Sequence, residues 1–136
     1  MVSKSSITPL IILDTNVVLR FLLKDNKALT AKATRVFMEA EQGRYFIYLD
    51  DLVIAETAWV LKSVYYYTGS QISKQLLNLI ERDFILLNDK ELVKQALICF
   101  DQKNLAYIDC WLKTLAENQN LKLVTFDKKL AKSHLT

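Results

Sequence analysis

Leu10-Ile11-Ile12-Leu13-Asp14-Thr15-Asn16-Val17-Val18-Leu19-Arg20-Phe21-Leu22 is the stretch on which the fold turns. Its first four residues are a short, continuous apolar run, the pattern of a strand buried on both faces of a parallel sheet. Asp14 ends the run, and Val17, Val18, Phe21 and Leu22 then recur at helical spacing. Asp14-Thr15-Asn16 therefore reads as a strand-to-helix turn whose side chains can cap the helix.

The same alternation continues along the chain. A helix is predicted from about Thr30 to Glu41, ending near Gly43, and a strand from Tyr45 to Leu49. Asp50 or Asp51 can cap a helix running to about Val64, with Gly69 as its end. Ile72, Leu76, Leu79 and Ile80 form another helical stripe, followed by a third strand from Phe84 to Leu87. Helices from about Lys90 to Lys103 and from Tyr107 to Asn118 come next, then a strand over Leu121 to Phe126 and a short helix after Asp127. Strands alternating with helices predict an α/β fold around a mainly parallel sheet of about four or five strands.

Composition bounds the rest. With 136 residues, 51% of them apolar, and only two glycines and one proline, the chain reads as one domain over 1–136, residues 1–9 forming a flexible tail. Cys99 and Cys110 fall in helical segments without metal-knuckle spacing and read as two buried thiols in a reducing compartment. The start is polar, and no apolar run is long enough to span a bilayer, so a soluble, cytoplasmic protein is expected. The net charge of +3 is a mild excess that tolerates a polyanionic partner. Its distribution is more suggestive: Lys128, Lys129 and Lys132 follow Asp127, and Arg20 and Lys24 follow Asp14.

In open parallel sheets, ligands bind beyond the carboxyl ends of the strands. Asp14 in LIILD and Asp127 in LVTFD each stand immediately after an apolar strand, although either could simply cap the next helix. Glu56 has Leu52, Val53, Trp59 and Val60 as its helical neighbours, which predicts a core-facing carboxylate needing a charged partner or a metal. Asp109 opens the helix with Ile108, Leu112, Leu115 and Ala116, where a first-turn acid also suits the helix dipole. Four acids in such places suggest a hard-cation site for Mg²⁺ or Mn²⁺. Zinc is disfavoured, His134 being the single histidine. The chain has no GxGxxG or Walker loop to cradle phosphates, and no internal histidine to serve as base for a serine or cysteine nucleophile.

Asp14-Thr15-Asn16, Glu56 within VIAETAWVL, Asp109 within YIDCWLKTLA and Thr125-Phe126-Asp127 together resemble the PIN-domain nucleases, especially the VapC-type toxins of bacterial toxin-antitoxin pairs. The resemblance runs from Leu10 to about Leu130. It implies a three-layer α/β/α sandwich, Mg²⁺- or Mn²⁺-dependent cleavage of RNA, a homodimer and a cognate antitoxin. Carried over by residue, Asp14, Glu56, Asp109 and Asp127 are the acidic quartet, catalytic and metal-binding, with Asn16 and Thr125 as polar supports. Arg20 falls where many such toxins have a basic residue, and with Lys128, Lys129 and Lys132 it is a candidate contact for RNA. Tyr107 and Trp111 are candidates to stack on a base, against an ordinary core role. Ala106 departs from related sequences, which often carry a further acid there. The rival class is a catalytically silent PIN-like module that binds RNA or a protein partner; a receiver-like phosphotransfer domain using Asp14 would need further acids beside the first strand.

Overall fold

Three short strands, β1 (Leu10–Ile12), β2 (Phe46–Tyr48) and β3 (Ile85–Leu86), lie side by side in chain order, all parallel. They belong to a computed structural model that describes residues 7–134; most of the tail expected over 1–9 lies outside the described residues. Leu10 pairs with Phe46 and Ile12 with Tyr48, while Ile47 pairs with Ile85 and Tyr48 with Leu86. This register puts Ile11, Ile47 and Ile85 on one face, where Ile47 and Ile85 are buried. Leu10, Ile12, Phe46 and Leu86 occupy the other and are exposed, Ile12 by 66%. The expectation of a strand buried on both faces is thus corrected: β1 alternates, and an apolar run by itself does not say which face is covered.

Apart from the strands the described chain is mostly helical: α1 (Thr15–Leu23), α2 (Lys27–Glu41), α3 (Asp51–Ser63), α4 (Gly69–Ile80), α5 (Lys90–Gln102), α6 (Tyr107–Gln119) and α7 (Lys128–His134). This is an α/β chain with an open parallel sheet, consistent with the α/β/α class. The helix starts follow from side chains that accept the orphan N–H groups of a first turn. Asn26 accepts from Leu29, Asp50 from Leu52 and Asp89 from Leu92, each at 3.0 Å. Asn26 explains why α2 begins three residues before Thr30.

Two sequence expectations fail here. Gly69 does not end α3 but opens α4, where Thr68 and Gln71 form a reciprocal capping box: the Gln71 N–H donates to Thr68 Oγ1 and the Thr68 N–H to Gln71 Oε1. Glycine is needed at 69 because a Cβ there would stand 2.8 Å from the Phe100 carbonyl oxygen. The second failure is the fourth strand. Residues 121–126 have strand-like composition but form no strand, and among the described residues the sheet has three. Apolar, β-branched composition fits a residue to a sheet, but a ladder also needs a neighbouring strand to supply partners.

The chain divides into two compact units, with the division falling within α3 and α4. One holds the chain up to Thr57 together with Asn78–Asn88; the other holds Ala58–Leu77 and the chain from Asp89 onward. In the first, α1 packs on α2, Phe21 stacking on Phe37 with ring centroids 4.1 Å apart, and the Arg82 guanidinium lies over Phe21. In the second, α5 packs on α6, Tyr107 meets Phe100 edge-on at 5.8 Å, and the Ser73 hydroxyl donates to the Leu97 carbonyl at 2.7 Å. Tyr107 is buried, which returns it to the core role rather than base stacking. No helix among the described residues is long and apolar enough to cross a membrane.

Candidate functional site

In the first unit, the turn between β1 and α1 carries three consecutive polar residues with separate tasks. Asp14 is extended and caps α1, its Oδ1 accepting from the Val17 N–H at 3.2 Å. Asn16 is exposed on the first turn. Thr15 between them is buried, and its hydroxyl donates to Glu56 Oε1 on α3. The bond joins the turn beside Asp14 to a carboxylate 41 positions further along the chain.

Glu56 itself corrects an expectation. It is exposed, because the buried stripe of α3 is formed by Ile54, Thr57, Ala58 and Leu61. Leu52 and Trp59, which suggested a core-facing position, are 77% and 62% exposed. Apolar residues thus lie on two sides of this helix, and the side with the Leu52–Trp59 periodicity is not the buried one. Glu56 is held by a neutral hydroxyl donor rather than by a cationic partner.

A cleft of about 420 Å³ lies between α1 and α2, lined by Asp14, Asn16, Val17, Arg20, Lys32 and Ala33 among others. Its walls are apolar and its polar groups convergent, the usual make-up of a ligand pocket. Arg20 is half-buried and paired with Asp25 at 3.0 Å, so the basic residue expected near the first acid does reach this cleft while sharing its charge. Lys32 was not singled out in the sequence. It stands on α2, and only the packing of α2 on α1 relates it to Asp14.

In the second unit, Asp109 lies in the first turn of α6 and Asp127 just before α7. Asp127 caps α7, its Oδ1 accepting from the Leu130 N–H at 2.9 Å, and its own N–H donates to Thr125 Oγ1 at 3.0 Å. Thr125 therefore shapes the turn that presents Asp127. Burial pushes the pKa of the half-buried Asp109 up, and the negative charge of Asp127 pushes it further. Two carboxylates near enough to repel are costly without a cation or proton between them. Lys128, Lys129 and Lys132 are exposed on α7, beside Asp127 in sequence. Trp111 is half-buried.

In each unit two of the four expected acids are related: Thr15, next to Asp14 in sequence, donates to Glu56, and Asp109 feels the charge of Asp127. Among the described residues, no three histidine, cysteine or acidic side chains stand together as a ready metal site. Thr15 was overlooked as more than part of a turn. The signal was present, since Thr15, Val18 and Leu19 fall on one helical face and all three are buried.

Comparison with curated proteins gives no match. The family model for the PIN domain matches residues 11–133, from the middle of β1 into α7. A nuclease-type fold that begins in the first strand and includes all four acids covers nearly the whole chain, and the protein belongs to the PIN-domain family.

Proposed function

We propose that this protein is a metal-dependent endoribonuclease in which Asp14, Glu56, Asp109 and Asp127 hold Mg²⁺ or Mn²⁺. The observation that carries the reading is the pair Asp109 and Asp127, where burial first and the neighbouring Asp127 charge second raise the Asp109 pKa, both penalties that a bound cation offsets. The donor set fits a hard ion, being oxygen throughout. Asp14 and Asp127 each commit one oxygen to capping a helix and form no hydrogen bond through the other among the described residues.

The ion, when bound, lowers the pKa of a coordinated water and offsets charge on the phosphodiester. The chain's own residues orient and attract. Capping fixes the two aspartates, and Thr125 braces the turn before Asp127. Asn16 offers an amide at the mouth of the α1–α2 cleft, where Arg20 and Lys32 attract phosphate. Lys128, Lys129 and Lys132 extend a basic surface along α7 for the RNA backbone. The narrower role, a toxin that forms a homodimer and is neutralised by a cognate antitoxin, is supported by the resemblance of the acidic motifs to VapC-type sequences.

The test is cleavage of labelled single-stranded and structured RNA by purified protein in Mg²⁺, Mn²⁺ and chelator, with Asp127→Asn as control. Metal-dependent cleavage lost in the variant is expected. Cleavage that persists in chelator or in the variant overturns the assignment. RNA binding without cleavage in either metal supports the catalytically silent module instead.

A further inference from the structure

We propose that Thr15 is a positioning residue for the metal site: its buried hydroxyl fixes Glu56 in the rotamer that binds the cation. The inference rests on the reading of Glu56 as a ligand and adds a residue that this reading leaves out. Glu56 lies on the exposed side of α3, and its only hydrogen bond among the described residues is the one it accepts from Thr15. A surface glutamate otherwise samples several rotamers, and ordering such a side chain costs up to about 2 kcal/mol. A ligand must be held before the ion arrives, which is the task of groups hydrogen-bonded behind it.

Thr15 suits that task for three physical reasons. As a β-branched residue it has a stiff χ1, and burial removes competing water from its hydroxyl. Its position at the first residue of α1 matters as well. A threonine deeper in a helix can turn its hydroxyl back onto the carbonyl one turn earlier, whereas at the helix start there is no such carbonyl to take it. Finally, Thr15 follows directly on Asp14, so the backbone that sets one proposed ligand also sets the donor that holds another. The bond uses Glu56 Oε1 and leaves Oε2 for the cation.

The competing view is that Thr15 merely satisfies a buried hydroxyl, and Glu56 happens to be its acceptor. Titration with Mn²⁺ alone, read by calorimetry or by loss of the free-ion paramagnetic signal, separates the two across Thr15→Ser, Thr15→Ala, Thr15→Val and Glu56→Gln, with chelator melts and circular dichroism for folding. Thr15→Ser is expected to bind like wild type, and Thr15→Val and Thr15→Ala about 10-fold more weakly, the lower end for loss of a group that orients a ligand. In a Glu56→Gln background, Thr15→Ala should have no further effect on affinity. If Glu56→Gln weakens Mn²⁺ binding while Thr15→Ala does not, the positioning role is overturned and the metal reading stands. Equal weakening in Thr15→Ser and Thr15→Ala reduces the effect to packing and likewise overturns it. Unchanged Mn²⁺ binding in Glu56→Gln removes Glu56 as a ligand, and both readings fall. Thr15→Ala and Thr15→Ser decide the matter if the bulkier Thr15→Val does not fold.

Discussion

Asp127, at the start of α7, lies close enough to Asp109, in the first turn of α6, for its charge to add to the burial that raises the Asp109 pKa. Both residues also occupy helix starts, which favour negative charge. The raised value means that burial and repulsion outweigh that benefit for Asp109.

A stability difference follows from the sign of this shift. A carboxyl whose folded pKa lies above its unfolded one destabilises the native state once ionised, and the penalty vanishes below the unfolded value, about 3.9 for aspartate. Asp109→Asn should therefore melt at a higher temperature than wild type at neutral pH in chelator, and the gap should close as pH falls through the carboxylate range. Melting curves from pH 3 to pH 8 check this. A difference that does not change with pH refutes the electrostatic account, and cleavage should be absent in the variant throughout.

Asp14 and Asp127 each do two jobs that substitution can separate. Asparagine caps a helix about as well as aspartate, whereas alanine costs about 1 kcal/mol at an N-cap. Asp14→Asn and Asp127→Asn should lose cleavage with little change in stability. Asp14→Ala should lose cleavage and also about 1 kcal/mol, measured by urea denaturation. Full cleavage by either asparagine variant would reduce these residues to caps.

The lysines of α7 give a third expectation. Lys128 and Lys129 are exposed, and neither is tied to a carboxylate by an ion pair among the described residues. Replacing both with alanine should weaken RNA binding and flatten its dependence on salt by a slope of about two, since each phosphate contact releases about one counterion. Binding measured between low and moderate salt gives the slope directly. An unaltered slope would make α7 a solvated surface without contact to RNA.

Cys99 and Cys110, expected to be two buried thiols, differ in chemistry. Cys99 is half-buried, and its pKa is lowered to about 7 by a hydrogen bond from the Cys110 thiol, with help from Lys113 and Lys103. Cys110 is buried and its pKa is raised, mainly because its proton is held in that same bond. Iodoacetamide at pH 8 should label Cys99 in the native protein and spare Cys110, with a rate rising through pH 7. Cys110→Ala should shift that rise to higher pH. Mass spectrometry of the labelled peptides tests both, and preferential labelling of Cys110 would contradict them.

Periodicity and capping made much of the fold legible. α5 and α6 lie within about a residue of their expected limits because each has one apolar stripe and a clear start. Asp14 and Asp127 were legible for the same local reason, each closing an apolar run just before a helix. What escaped depends on partners distant in sequence. Gly69 looks like a helix stop until the Phe100 carbonyl is seen above it. α3 carries apolar residues on two sides, so its buried face cannot be chosen from spacing alone, and Glu56 lies on the exposed one. No local pattern encodes a hydrogen bond between Thr15 and Glu56.

Lys24, Tyr66 and Asn120 adopt left-handed backbone angles with φ of 55°, 60° and 54°, positions that glycine commonly fills at the ends of helices. Lys24 and Asn120 are the C-caps of α1 and α6. A side chain there costs roughly 1–2 kcal/mol in the native state, somewhat less for asparagine. The offset lies in the denatured ensemble: a chain with two glycines in 136 residues wanders through fewer backbone states before it folds. Local strain at three bends is thus exchanged for a stiffer starting point, and glycine placed at Lys24 or Tyr66 would relax the bend while loosening the unfolded coil.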